Sequence, residues 1–167
     1  MPKSSRRRNI RAVLIRAATP GDIPSIQWLE QQAENAAHWT DREYEALFAS
    51  DAPARIALVA YDEVGSGGVP IHGFLIAQCA LGDWEIENVV VAPARRRSGV
   101  GTNLIQQLLL RARKQGATSV LLEVRESNGA ARRLYENSGF SEHGQRKNYY
   151  KEPSEDAILL KIFIAAS

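Results

Sequence analysis

The stretch that most constrains the fold reads Val89-Val90-Val91-Ala92-Pro93-Ala94-Arg95-Arg96-Arg97-Ser98-Gly99-Val100-Gly101-Thr102. An apolar strand ends, a basic turn follows, and two glycines open a helix. Apolar residues then recur at Val100, Leu104, Ile105, Leu108, Leu109 and Ala112, the stripe of an amphipathic helix over 99–115. Gly116 ends it, and residues 118–124 form a short apolar strand. Two strands joined through a helix need a crossover, so the strands at 84–91 and 118–124 pair in parallel.

The remaining pattern fills in a mixed sheet. Residues 10–16 read as a first strand. Asp22 stands at an N-cap position with Pro24 in the first turn, and Ile23, Ile26, Leu29 and Ala33 follow at helical spacing. Thr40 and Glu43 make a capping box for a second helix carrying Tyr44, Leu47 and Phe48. Strands at 55–61 and 71–80 flank a flexible glycine-rich turn at 65–70, and a turn at 81–83 leads to the strand at 84–91. Asn128 caps a helix with Ala131, Leu134 and Tyr135 that stops at Gly139. Strands near 140–146 and 157–164 close the chain. The order is β-α-α-β-β-β-α-β-α-β-β: an α/β fold with a mixed sheet of six to seven strands, helices on both faces, and antiparallel pairing outside the crossover.

The 167 residues suit one domain over 10–167 with a basic, disordered tail at 1–9. Lys and Arg total 21 against 19 Asp and Glu, a net charge of +2, too mild for a nucleic-acid footprint. Arg6 to Arg8 read as a solvated tail. Cys79 lies in an apolar run and reads as a small buried hydrophobe. His38, His72 and His143 show no ligand spacing, so no metal is expected. No secretory signal and no apolar run of membrane length appear, so the expected address is the cytoplasm, away from membranes. The expected assembly is a monomer or weak dimer.

The glycine turn suits an anion. Glycines permit close backbone approach, and a helix start offers unpaired N–H groups to a pyrophosphate. A dinucleotide fingerprint fails, because Leu104 stands at the third glycine position. A Walker loop fails for want of Gly-Lys-Ser/Thr. The pattern Arg/Gln-x-x-Gly-x-Gly/Ala is met by residues 96–101. A glycine turn that merely starts a helix is the ordinary alternative.

This loop, with Val-Val-Val-Ala-Pro before it and Leu-Glu-Val-Arg-Glu-Ser-Asn after the helix, resembles the GNAT acetyltransferase superfamily over about residues 10–164. The resemblance implies an enzyme that uses acetyl-CoA. Val89, Val90 and Val91 would then meet the pantetheine and acetyl group, and Arg96, Arg97, Ser98, Gly99, Val100, Gly101 and Thr102 the pyrophosphate. Three further segments, 122–128, 134–140 and 146–150 with Glu155-Asp156-Ala157, resemble one branch, the bacterial ribosomal-protein alanine N-acetyltransferases. There the residue matching Glu123 is the general base, that matching Tyr135 the general acid, and that matching Asn128 contacts CoA. Trp39-Thr40 fits the branch's Trp-Ser/Thr pair, preceded by His38 where proline is usual. Tyr149 and Tyr150 fall in a loop on the substrate side.

The chemistry agrees with these roles. A protein α-amine of pKa about 7.7–8.0 is roughly one-tenth neutral at pH 7, whereas a lysine amine is neutral about once in a few thousand. A modest carboxylate suffices as its base. A phenol of pKa about 10 is a weaker acid than a thiol of about 8.5, so Tyr135 serves a departing thiolate chiefly as a hydrogen-bond donor. The N–H of Val91 is a candidate donor to the carbonyl oxygen. Glu87, with Glu85 on the same strand face, competes with Glu123 for the base role or binds a cationic substrate. The leading expectation is acetyl transfer to the N-terminal alanine of a small-subunit ribosomal protein. Transfer to protein lysine or a small amine, and a non-catalytic acyl-CoA-binding module, are the alternatives.

Overall fold

The computed structural model describes residues 12–63 and 70–165. The tail at 1–9, the start of the strand expected from residue 10, and most of the 65–70 turn lie outside the described residues. The described residues form one seven-stranded sheet in the order β1-β2-β3-β4-β5-β7-β6. Its elements are β1 (Val13–Ala17), α1 (Ile23–Gln31), α2 (Asp41–Ala46), β2 (Arg55–Asp62), β3 (Ile71–Ala80), β4 (Asp83–Val91), α3 (Val100–Lys114), β5 (Ser119–Arg125), α4 (Gly129–Asn137), β6 (Ser141–Lys151) and β7 (Ser154–Phe163).

The expected parallel pair is present: Trp84, Glu85 and Ile86 of β4 face Val120, Leu121 and Leu122 of β5. Every other pairing is antiparallel. The apolar stripe of α3 is buried, with Leu104, Ile105, Leu108 and Ala112 at 0% exposure. It packs with α4 on one sheet face, against Leu58, Leu75, Trp84, Val120 and Leu160. On the other face α1 and α2 cover Val59, Phe74, Ile76 and Val90 with Ile26, Leu29 and Tyr44. Gly116 and Gly139 end α3 and α4 at positive φ, +77° and +98°.

Three expectations change. The Asp22 carboxylate makes no cap bond to α1. Instead it accepts from Arg16 at 2.7 and 2.9 Å and from the Thr19 N–H at 2.8 Å, tying β1 to the helix entry. Tyr149 and Tyr150 lie within β6, not a loop. That strand is exposed along most of its length, so its sequence carries no apolar alternation. Cys79 is only half-buried, at the margin of the α3 core. The Thr40–Glu43 capping box forms in both directions.

Candidate active site

The site begins with a fault in β4. Ile76 pairs with Asn88 and Ala77 with Ile86, so Glu87 is an extra residue in the ladder, a β-bulge. Before it, Trp84 and Ile86 point into the α3 core; after it, Val90 points into the α1 core. Asn88 is buried on the α1 side, donating to Glu30 Oε1 at 3.2 Å and to the Ala37 carbonyl at 3.0 Å. Glu30 also accepts from the Trp39 N–H at 3.1 Å. These bonds hold residues 34–38 over the strand.

Beyond Ile86 and Leu122, β4 and β5 separate. A cleft of about 260 Å³ opens between them. It is walled by Glu87 and Val89 of β4, Glu123 of β5, Asn128 at the N-cap of α4, Tyr135 of α4, Tyr150 of β6, and residues 34–38. The Ala92 N–H donates to the His72 carbonyl at 2.8 Å, toward β3. By strand alternation Val90 faces β3 as well, and Val89 and Val91 turn their N–H and C=O groups to the open edge. The structure thus separates the three valines: Val89 and Val91 offer backbone groups to the cleft side, while Val90 is committed to β3 and the opposite core.

The glycine loop closes one end. Arg97 (φ +58°) and Gly99 (φ +85°) both adopt left-handed backbone, and Gly99 is the N-cap of α3 with no side-chain cap. The first N–H groups of α3 therefore lack an intrahelical partner, the arrangement of an anion-binding nest. A Cβ at Gly99 would meet nothing within 4 Å, leaving room for a ligand. Gly101 serves packing: a Cβ there would stand 3.0 Å from Leu134 Cδ2. Ser98 donates its hydroxyl to the Arg95 carbonyl, shaping the loop from within. Arg96 reaches the Val91 carbonyl at 3.4 Å. Arg95, the first arginine of the basic turn, does not join Arg96 and Arg97 at the loop: it makes two bonds to Asp62, at 3.0 and 2.8 Å. Burial works to raise the Asp62 carboxyl, but Arg95 and His72 hold it below the ordinary range.

Glu123 and Tyr135 both line the cleft. Glu123 Oε1 lies 2.9 Å from Arg146 Nε, and Glu123 raises the pKa of the neighbouring Tyr149 hydroxyl. Tyr135 packs its ring edge-on against Phe140, with centroids 5.7 Å apart. Burial, then the neighbouring Tyr150, pushes its hydroxyl well above the ordinary phenol value, so it stays protonated as a donor. Asn128 accepts the Ala131 N–H at 3.2 Å, placing its amide at the mouth of α4. Glu87 is clamped by Arg55 at 2.9 and 3.3 Å, and Arg55 lies over the Trp39 ring at 5.6 Å. Trp39 lies outside the cleft lining, its ring against Arg55, the partner of Glu87. Glu85 also lies outside the lining. Burial, Glu123 and Glu87 raise its carboxyl.

Sequence reasoning passed over Arg146, Arg55, Asp62, Asn88 and Glu30. Two left a signal: Asn88 interrupts an apolar strand, and Glu30 sits four residues after Ile26 on the buried stripe of α1. Among the described residues, no group of three or more His, Cys, Asp or Glu is arranged to hold a metal. No helix there is long and apolar enough to cross a membrane.

A sequence model of the Acetyltransferase (GNAT) family matches residues 22–140. The chain belongs to the GNAT acetyltransferase family. It is 34% identical over 146 residues, 86% of its length and 93% of the relative's, to the ribosomal protein bS18-alanine N-acetyltransferase of Escherichia coli strain K12. The Haemophilus influenzae enzyme of that name is 38% identical over 97 residues, 56% of this chain and 66% of that protein. The crystal structure of the Escherichia coli S18-alanine enzyme superposes with a TM-score of 0.78 at 28% identity, covering 93% of this chain and 96% of that one. Arabidopsis thaliana NAA60 in complex with a bisubstrate analogue shares the fold, with a TM-score of 0.82 at 18% identity over 93% of this chain and 100% of that one. As a GNAT member, the chain is an acetyl-CoA-dependent N-acetyltransferase.

Proposed function

We propose that residues 10–167 form one enzyme domain that acetylates a protein's N-terminal α-amine, with the N-terminal alanine of a small-subunit ribosomal protein as its acceptor. The observation that carries this reading is the cleft where β4 and β5 part, with open backbone edge on one side and Glu123 and Tyr135 facing in. Val89 and Val91 hold the pantetheine arm. The nest of residues 97–102 holds the pyrophosphate, with Arg96 and Arg97 adding charge, and Asn128 contacts the CoA beyond it. Acetyl-CoA, when bound, supplies a thioester carbonyl open to attack by an amine.

Glu123 takes the proton of the arriving ammonium, directly or through one water. The Val91 N–H donates to the carbonyl oxygen as charge develops there. Tyr135 donates a hydrogen bond to the departing sulfur; its raised pKa keeps the phenol protonated for that task. Glu87, held by Arg55, shapes the floor of the cleft. Incubation with acetyl-CoA and N-terminal peptides, read by mass spectrometry and thiol release, tests the reading. Acetyl found only on lysine side chains would overturn it. Its relatives named for ribosomal protein bS18 support the acceptor class.

A further inference from the structure

The hairpin of β6 and β7 contains an irregularity that the reaction outlined above does not use. Arg146 pairs with Ala157, and the next paired residues are Tyr150 and Glu155. Three residues of β6, Lys147, Asn148 and Tyr149, therefore arch over a single residue of β7, Asp156. The Asp156 carboxylate sits beneath the arch. It accepts from Gln145 Nε2 at 2.8 Å, from Lys147 Nζ at 2.9 Å and from the Asn148 N–H at 2.8 Å. Asn148 holds a left-handed backbone, φ +51°, at the apex.

The arch sets two side chains beside Glu123 at the edge of the cleft. Arg146 at its foot pairs with Glu123 at 2.9 Å, and its guanidinium lies 5.5 Å from the centre of the Tyr149 ring on the far limb. Tyr150, where pairing resumes, lines the cleft. Asp156 does not line the cleft, so any effect it has on chemistry passes through these residues. The Asn148 N–H, then Lys147, hold its carboxyl below the ordinary range, so it stays charged at neutral pH.

We propose that Asp156 is a positioning residue for the acceptor. It fixes the arch that presents Arg146 and Tyr149 to Glu123 and so builds the wall against which the acceptor amine is placed. The inference rests on the proposed function in one respect: the acceptor enters on the arch side, opposite the glycine loop. Asp156 lies in the hairpin and its carboxylate is bound by Gln145, Lys147 and Asn148 of that hairpin, so cofactor binding and acceptor placement separate.

The test measures Asp156→Ala with acetyl-CoA and a peptide bearing a free N-terminal alanine, alongside direct titration of acetyl-CoA. The expected result is a loss of at least tenfold in kcat/KM for the acceptor, with the acetyl-CoA Kd within twofold of wild type. Asp156→Asn keeps the shape and one accepting oxygen, and should recover part of the loss. If the alanine variant does not fold, the asparagine variant carries the test, with at least a threefold loss expected. An acceptor kcat/KM within twofold of wild type overturns the proposal, as does a fall in acetyl-CoA affinity by the same factor. Wild-type enzyme that acetylates only lysine in this assay would refute the acceptor reading instead. The same ratios taken on that lysine peptide would then judge Asp156 separately.

Discussion

Arg97 combines two roles that substitution separates. Its backbone lies at φ +58°, in the left-handed region, while its side chain is exposed and has no hydrogen bond or ion pair among the described residues. A non-glycine residue there costs about 1–2 kcal/mol. Glycine removes that strain but gains roughly 0.4–1 kcal/mol of freedom in the unfolded chain. Arg97→Gly should therefore stabilise the protein by about 0–1.5 kcal/mol, with each kcal/mol worth roughly 2–4 °C in Tm for a domain of this size. Arg97→Ala keeps the strain and should stay within about 0.5 kcal/mol of wild type, as exposed substitutions do. Both variants lose the guanidinium proposed for the pyrophosphate. Both should bind acetyl-CoA about five- to tenfold more weakly, a charged hydrogen bond discounted for its exposure. Thermal melts and acetyl-CoA titrations on the three proteins give the answer. A Tm for Arg97→Gly more than about 2 °C below that of Arg97→Ala would refute the backbone argument. Unchanged acetyl-CoA affinity in both would refute the phosphate contact.

Other perturbations separate the remaining roles. Glu123→Gln should lower kcat by roughly a hundredfold or more. Glu87→Gln should lower it less than about tenfold, because the largely buried Arg55 holds Glu87 in two bonds whereas Arg146 beside Glu123 is exposed; near-normal turnover with Glu123→Gln would reverse that ranking. Tyr135→Phe should lower kcat by roughly ten- to a hundredfold, the value of one hydrogen bond to a charged sulfur. Because burial raises the phenol's pKa, the kcat profiles of this variant and wild type should share one shape from about pH 6 to 9 and differ in height. A bond from Arg16 holds the Asp22 carboxyl below its ordinary 3.8. A depressed carboxyl contributes stability that is present above its unfolded value and lost as pH falls through the folded one. Denaturant melts should show that loss beginning near pH 4 in wild type and a flatter acid limb in Asp22→Asn.

Much of this architecture was legible because its signals are local. The stripe from Val100 to Ala112 marks α3, Thr40 and Glu43 mark the start of α2, and the glycines at 99 and 116 bound the crossover helix. Glu123 and Tyr135 came from motif resemblance, and the structure brings both to one cleft. What escaped depends on pairing between distant segments. The bulge at Glu87 arises from register with β3, and nothing within β4 announces that Val89 and Val90 will part company. Arg95 looks like its two neighbours until Asp62, thirty-three residues earlier, binds both of its terminal nitrogens. The exposed strand β6 carries no apolar rhythm, so Tyr149 and Tyr150 read as loop.

The short parallel pairing of β4 with β5 has a mechanical consequence. The sheet consists of two half-sheets, β1 to β4 and β5 with β7 and β6, joined by three backbone pairs, by the Asp83 carboxylate accepting from Thr118 and Ser119, and by the helix that crosses between them. On the proposed reading, a pantetheine arm lying along Val89 and Val91 occupies the place of a missing strand at that seam. The molecule delivering the acetyl group would then also splice the two halves, and the enzyme would be most firmly joined at the moment it is charged for reaction.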